Sequence, residues 1–341
     1  MAQHVHKRIG RRILLVSLAL LLCLSLAAAI LMIGIPMTET VSVKRTERSA
    51  QWMDALPDDL SLREIVLPGT HDSATKYCQL AFFSKCQALS VQEQLEAGAR
   101  FLDIRLGFGE ADEQGAPQLK LMHGFVNCRT GAMPWSQTLY LEQVLAECDA
   151  FLEEHPSETV IFAVKHEHGT EPTAEFETAL LHVLKQNPSR RLLTDRIPSL
   201  GQARGKLVLM RRYPDAAKLG AEGGIPLLWA EQKGNGDLSK HTEMTDQGSY
   251  RLWVQDRFEY GNEDKWSAFL AGLREPSIAP EDLSIHFLST KGTAKYGHPY
   301  AHAGALNPRL AALGNQELKG WIILDFLDAE LAELVWSSNF D

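Results

Sequence analysis

The chain has 341 residues, 45% of them hydrophobic, and a formal net charge of −9. That is enough apolar material for one large α/β domain or two small ones. The acidic balance argues against nucleic acid as a partner and against simple electrostatic adsorption to anionic lipid, because both need a basic face.

The first element is a leader. Lys7, Arg8, Arg11 and Arg12 precede an uncharged, mostly apolar run from Ile13 to Ile35. Signal-peptide cores run roughly 7–15 residues and a spanning helix needs roughly 20, so the length favours an uncleaved anchor. Ala27-Ala28-Ala29 would suit a signal peptidase but sits inside the run, and Leu22 before Cys23 is unsuited to lipidation. Basic residues on the N-terminal side keep that end in the cytoplasm and put the domain outside it. Residues 1–36 are thus read as anchor or signal peptide, 37–57 as a polar linker and 58–341 as the folded domain. Four cysteines, Cys78, Cys86, Cys128 and Cys148, lie in the exported part. They allow two disulfides, with the local pair Cys78/Cys86 favoured, against Cys148 simply buried as a thiol on a helical apolar face. No C-x-x-C pair or tight His/Cys spacing points to zinc.

The domain opens on Glu64-Ile65-Val66, read as a buried strand that Pro68-Gly69 breaks, followed by Thr70-His71-Asp72-Ser73. Ser90-Val91-Gln92-Glu93 is a capping box for a short helix ending at Gly98. Strands are expected at 100–105 and 118–122, the latter ending at His123-Gly124. An amphipathic helix follows over 138–154, with Leu141, Val144, Leu145, Cys148, Phe151 and Leu152 on one side. Further strands are expected at 159–164, ending at Lys165, and at 206–210, closed by Arg211-Arg212, with a helix over 173–186 between them. Residues 222–248 read as long loops around a short strand at 227–229. Strands at 252–254, 283–288 and 321–324 complete the series, the first ending at Gln255-Asp256 and the last at Asp325.

This alternation of about eight strands with helices predicts an α/β fold, a distorted (β/α)₈ barrel behind an N-terminal apolar helix. His71, Asp103, Arg105, His123, Lys165, Arg212, Asp256 and Asp325 all fall at or just past expected strand C-termini, which converge on one face of such a barrel.

Two histidines, an arginine and a partner carboxylate suit cleavage of a phosphodiester. A neutral imidazole takes a proton from an attacking hydroxyl, and a protonated one gives a proton to the leaving oxygen. A guanidinium stabilises charge building on phosphate oxygens, and a buried carboxylate fixes one imidazole's tautomer.

The motifs Leu67-Pro68-Gly69-Thr70-His71-Asp72-Ser73, Phe101-Leu102-Asp103-Ile104-Arg105 and Met122-His123-Gly124 carry a resemblance. So do Val254-Gln255-Asp256 and Trp321-Ile322-Ile323-Leu324-Asp325. Together they resemble the X domain of phosphatidylinositol-specific phospholipases C, in particular the bacterial, metal-independent type, over about residues 58–338. The resemblance implies His71 as general base held by Asp325, His123 as general acid helped by Asp72, and Arg105 on the phosphate. Lys165, Arg212, Asp256 and Phe258 would line the inositol pocket, with Asp103 a structural carboxylate beside it. Calcium-dependent relatives carry carboxylate and amide side chains where this chain has Asp72, Arg105 and Lys165. No calcium, and no other cofactor, is therefore expected. Arg257-Phe258 stands where bacterial members tend to have Lys-Tyr, keeping a ring against the sugar and losing a hydroxyl.

The expected protein is an extracytoplasmic, monomeric enzyme that meets an inositol phospholipid at a membrane surface. Its rivals are a phosphodiesterase of the same barrel with another headgroup, such as glycosylated inositol, and a non-catalytic lipid-binding module. Among the remaining residues, His166 and His168 around Glu167 read as a polar strand exit rather than a metal site, and His286 as a packed core histidine. Residues 297–304, with His298 and His302, read as a rim loop, and Tyr296 and Tyr300 as rim contacts to lipid or sugar. Trp135, Trp229 and Trp266 are either interfacial or core.

Overall fold

The structure, a computed structural model, describes residues 2–113, 115–167, 173–233 and 242–340. Helix α1 (Ala2–Ala29) continues through a π-turn, Ile30–Gly34, into a last turn, Ile35–Thr38. The strands that follow are β1 (Leu67–Thr70), β2 (Phe101–Ala111), β3 (Pro117–His123), β4 (Val126–Asn127), β5 (Val160–His166) and β6 (Arg191–Leu192). After them come β7 (Leu207–Arg211), β8 (Ile225–Pro226), β9 (Glu243–Asp246), β10 (Arg251–Gln255), β11 (Leu283–Phe287) and β12 (Trp321–Leu324). Besides a single α-turn, Leu200–Ala203, the remaining helices are α2 (Ala81–Ser84), α3 (Val91–Glu96), α4 (Leu141–Glu154), α5 (Thr173–Leu184), α6 (Asn262–Leu273), α7 (Pro299–Leu313) and α8 (Ala329–Ser337).

Strands β8, β7, β5, β2, β1, β12, β11 and β10 run parallel in that spatial order, the succession of a (β/α)₈ barrel. The ladder does not close between β8 and β10 among the described residues. Side chains span the seam instead. Gln247 Nε2 donates to the Leu228 carbonyl (2.8 Å) and its Oε1 accepts from Leu228 N (2.9 Å). Gln232 Nε2 donates to the Val254 carbonyl (3.0 Å) and its Oε1 accepts from Asp256 N (2.8 Å). These bonds satisfy backbone groups that a strand partner would otherwise have met.

The first strand differs from expectation. Residues 62–64 form a 3₁₀ turn, and the strand is Leu67–Thr70, with Pro68-Gly69 inside it. Pro68 is tolerated because β2 starts late. Arg100 N donates to the Pro68 carbonyl, so the missing N–H would have faced the Gly98 carbonyl. That carbonyl accepts from Trp52 Nε1 at 3.0 Å instead. Gly69 is required by crowding: a Cβ there would lie 2.5 Å from Ile323 Cδ1 and 2.8 Å from Phe101 Cβ.

Strand β3 is also not a barrel strand. It returns antiparallel along the extension of β2, pairing Leu106 with Leu121, so His123 reaches the barrel mouth on a hairpin. The expected strand at 227–229 is replaced by Ile225–Pro226, and β9 inside the expected loop region pairs antiparallel with β10. The expected rim loop at 297–304 is mostly helix α7, started by Pro299 at its first turn. The capping-box helix forms as expected, and α4 starts at Leu141 with all six expected apolar residues buried.

The expected linker packs onto the barrel. Trp52 and Met53 are fully buried, and Arg100 donates to the carbonyls of Ser49 and Ala50. The expected Cys78/Cys86 bridge is absent and all four cysteines beyond the leader are thiols. Cys78 Sγ lies against Ser84 Oγ (3.2 Å), while Cys86 Sγ turns towards His123 Nδ1 (3.9 Å).

Candidate active site

The C-terminal ends of the parallel strands open onto a cleft of about 340 Å³. His71, Arg105, His123, Lys165, Arg212, Asp256, Phe258 and Asp325 line it. Asp72 and Asp103 are buried beneath it.

His71 follows β1 directly. Its Nδ1 is 2.8 Å from Asp325 Oδ1, and its Nε2 is 2.8 Å from Arg105 Nη2. A guanidinium only donates, so Nε2 is the acceptor nitrogen and the ring proton sits on Nδ1, donated to Asp325. Burial, reinforced by the Arg105 charge, lowers the His71 pKa well below the ordinary imidazole value. Burial also raises Asp325 well above the usual carboxylate range, with Asp72 adding to the effect. The Cys86 thiol lies beside this pair, within 4.8 Å of both His71 and Asp325.

Arg105 is the hub. It lies 2.9 Å from Asp72 Oδ1, 3.0 Å from Asp103 Oδ2 and 3.7 Å from Glu167 Oε1. Arg212 Nη1 takes the other oxygen of Asp103 at 3.1 Å. Burial alone would push Asp103 up, but these two guanidinium groups outweigh it and hold the carboxyl well below its usual range. Asp103 therefore sets the position of both arginines from below.

His123 sits across the cleft, its ring centroid 6.4 Å from that of His71. Its Nδ1 donates to the Ser84 carbonyl at 2.8 Å, which turns Nε2 towards Asp72 Oδ2 at 3.5 Å. The same Asp72 oxygen is 3.3 Å from His71 Nε2, so one carboxylate lies between the two imidazoles. Burial raises the Asp72 pKa against the opposing pull of Arg105. Asp72 holds a left-handed backbone (φ 44°), which aims its carboxylate inward while His71 stays on the strand axis.

The far wall holds the remaining polar groups. Arg212 stacks on Trp229 at 3.9 Å, and Trp229 Nε1 donates to Asp256 Oδ2 at 3.2 Å. Burial raises the Asp256 pKa, although the buried Lys265 opposes it. Lys165 Nζ pairs with Glu167 Oε2 at 2.7 Å. Burial would raise Glu167, but Arg105 and Lys165 bring it down to about 2.

Several of these residues were not singled out for the site by the sequence. Glu167, expected as part of a polar strand exit, turns into the cleft. The alternation along β5 signals this, since Lys165 and Glu167 share a face. His166 points the other way and stacks on Phe176 at 4.3 Å, and His168 lies outside the described residues. Cys86, the Ser84 carbonyl and Trp229 carry no local signal of their position. His286 is fully buried, as expected, its pKa lowered to about 3 by burial.

His71, Cys86 and Asp325 form one group whose donor atoms lie within 4.8 Å of one another, and Asp72, Cys86 and His123 form another. Each offers three mixed donors, short of the six to eight oxygens that calcium takes. Burial and the Asp325 charge also push the Cys86 thiol well above its ordinary pKa, away from the thiolate a metal would need.

Residues 69–213 match the family described as phosphatidylinositol-specific phospholipase C, X domain. A 1-phosphatidylinositol phosphodiesterase of Staphylococcus aureus (strain Newman) is 26% identical over 292 residues, covering 81% of this chain and 87% of its own. One from Listeria monocytogenes is 28% identical over 179 residues, covering 49% and 50%. A solved structure of the S. aureus phosphatidylinositol-specific phospholipase C, an F249X mutant, superposes with a TM-score of 0.68 at 23% identity, covering 87% of this chain and 99% of that one. The Listeria phospholipase superposes with a TM-score of 0.60 at 21% identity, over 85% and 98%.

Proposed function

This chain carries the X domain of the phosphatidylinositol-specific phospholipases C, and from that premise we propose that it cleaves phosphatidylinositol to diacylglycerol and inositol 1,2-cyclic phosphate. The observation that carries the reading is the unlike environment of two imidazoles 6.4 Å apart across one cleft. Burial and Arg105 keep His71 neutral, with its lone pair on Nε2, where Arg105 Nη2 holds the place that the substrate hydroxyl would take. His123 is oriented by the Ser84 carbonyl on Nδ1 and turns Nε2 towards the Asp72 carboxylate and the cleft, the placement a general acid needs.

In the proposed reaction His71 Nε2 takes the proton of the inositol 2-hydroxyl, and Asp325 stabilises the imidazolium that forms. The hydroxyl oxygen bonds to phosphorus as the bond from phosphorus to the glycerol oxygen breaks. His123 Nε2–H delivers its proton to that oxygen, and Asp72 supports the charged ring. Arg105 faces the phosphate oxygens, where negative charge grows. Nucleophile and phosphorus belong to one molecule, so their proximity is built into the substrate. Phe258 would lie against the inositol ring, with Lys165, Arg212 and Asp256 on its hydroxyls. A cleft near the small end of ligand pockets, roughly 300–1,000 Å³, suits a single sugar ring.

The reaction needs no metal ion in this reading. Asp72, Asp103 and Glu167, the carboxylates that would attract a cation, converge on the fixed charge of Arg105. The place of work is a membrane surface outside the cytoplasm, the chain acting as a monomer. Phe258 has no hydroxyl to offer, so the inositol ring keeps its stacking partner and loses one hydrogen bond, which leaves a glycosylated inositol headgroup as the second reading.

Phosphorus NMR of the full chain with phosphatidylinositol in micelles and excess EDTA tests the proposal. Build-up of the cyclic phosphate, absent in His71→Ala, is the expected result. Activity that appears only with added calcium would overturn the metal-free mechanism. Binding of inositol lipid with no turnover of plain or glycosylated headgroups would leave a binding module instead.

A further inference from the structure

The last turn of the N-terminal helix is clasped to the rim of the catalytic cleft. Residues 9–38 form one helix, long and apolar enough to cross a membrane and exposed from Ile9 to Ile30. At its end the chain turns onto the protein. Lys85, itself buried, donates from Nζ to the carbonyls of Pro36 (2.6 Å) and Glu39 (2.8 Å). The Pro36 carbonyl takes only a long bond from Glu39 N (3.4 Å), and the Lys85 ammonium adds a charged donor at this helix C-terminus. Glu39, only 3% exposed, meets His298 Nε2 at 2.6 Å. His298 stacks on Phe82 at 4.0 Å. Its neighbours Gly297 and Pro299, and Phe83 beside Phe82, line the catalytic cleft.

Around the same helix end the surface is apolar. Leu80, Phe125, Met133 and Pro134 share a groove with Met32 and Ile33 of the helix. Trp135 is 81% exposed, Phe125 59% and Tyr296 55%. Tyr296 lies 6.0 Å from Phe83 at the cleft rim. Such a patch on an acidic protein has no electrostatic pull towards anionic lipid, and its occupant is indicated by the lipid-soluble helix that emerges through it.

We propose that the Glu39–His298 and Lys85 clasp holds the mouth of the barrel against the leaflet from which its own helix emerges, so that the enzyme draws its inositol lipid from the membrane that anchors it. The inference rests on the phospholipase reading above and adds the source and geometry of the substrate. A tether fixes the enzyme at the surface at high effective concentration, and the clasp adds orientation, which a flexible stalk would not.

The test uses the full chain reconstituted into phosphatidylcholine vesicles, with phosphatidylinositol placed either in the same vesicles or in a second population. The wild type is expected to cleave same-vesicle lipid about tenfold faster or more. Glu39→Ala is expected to cut that advantage by about threefold or more, with turnover of a monomeric short-chain phosphatidylinositol unchanged. Met133→Ser with Trp135→Ser, both on the surface, is expected to do the same through lost lipid contact. Equal rates on the two vesicle populations would overturn the proposal. So would an advantage that survives both variants, or a mature chain that begins after Ala29. Failure of the wild type to cleave the monomeric substrate would instead strike at the phospholipase reading, from which the vesicle comparison is thereby separated.

Discussion

Arg105 Nη2 donates to His71 Nε2 across 2.8 Å, so the group placed to face phosphate also marks which imidazole nitrogen carries the lone pair. The two side chains are 34 residues apart in sequence yet share one hydrogen bond, and the charge of one lowers the pKa of the other.

Removing that charge should therefore change the pH profile as well as the rate. In the proposed reaction neutral His71 is the active form of the base, so activity is expected to fall as pH drops through its pKa. Arg105 lowers that pKa, after burial the largest cause. In Arg105→Gln the pKa rises, and the acid limb of kcat/KM should move to higher pH. The rate at the optimum should fall by about 10²–10³-fold from loss of the phosphate donor. An acid limb that stays in place would mean that burial alone sets the His71 pKa.

The two histidines should separate by leaving group. Each alanine variant is expected to lose about 10²–10⁴-fold on phosphatidylinositol, the usual worth of a general acid or base. With a nitrophenyl ester of inositol phosphate, whose leaving oxygen needs no proton, His123→Ala should recover most of its activity and His71→Ala should not. Equal recovery of both would undo the assignment of acid and base.

Phe258 offers a test of the headgroup. Phe258→Tyr adds a hydroxyl to a ring that lines the cleft. If plain inositol is the substrate, one added hydrogen bond of about 1 kcal/mol should lower KM a few-fold and leave kcat unchanged. A rise in KM for plain inositol, with the glycosylated form unaffected, would point to the larger headgroup.

Stability has its own weak point away from the chemistry. Arg100 is fully buried, its Nε 2.8 Å from Glu158 Oε2, and it also binds the carbonyls of Leu95 and Ala99. Arg100→Met would strand Glu158 and those carbonyls in the core. A loss of about 3–5 kcal/mol is expected, read by urea denaturation. A loss below about 1 kcal/mol would mean that water replaces the guanidinium.

Much of this architecture was legible in the chain because its signals are local. Capping boxes, apolar periodicity in α4 and α5, and polar residues following short apolar runs are written within a dozen residues. His71, Lys165, Asp256 and Asp325 sit together because parallel strands share a direction. What escaped was set by distant partners. Pro68 reads as a strand breaker until Trp52 is seen to take the carbonyl that proline leaves without a donor. His123 resembles another strand terminus, but only pairing with β2 shows that it arrives on a return strand. The polar stretch before the barrel gives no hint that Arg100 draws its backbone into the core. Glu167 needed the ions around it to become more than a loop carboxylate.

The hairpin that delivers His123 works as a ruler. Side chains alternate faces along a strand, so sliding β3 by one residue against β2 would carry the imidazole to the opposite side and exchange it for Met122 or Gly124. The span between the His123 and His71 imidazoles is thus encoded in a pairing register, Leu106 opposite Leu121, rather than in the loop at the tip. Length changes between Asp112 and Ala116 should be silent to chemistry, whereas deleting any one residue from 118–122 should extinguish it.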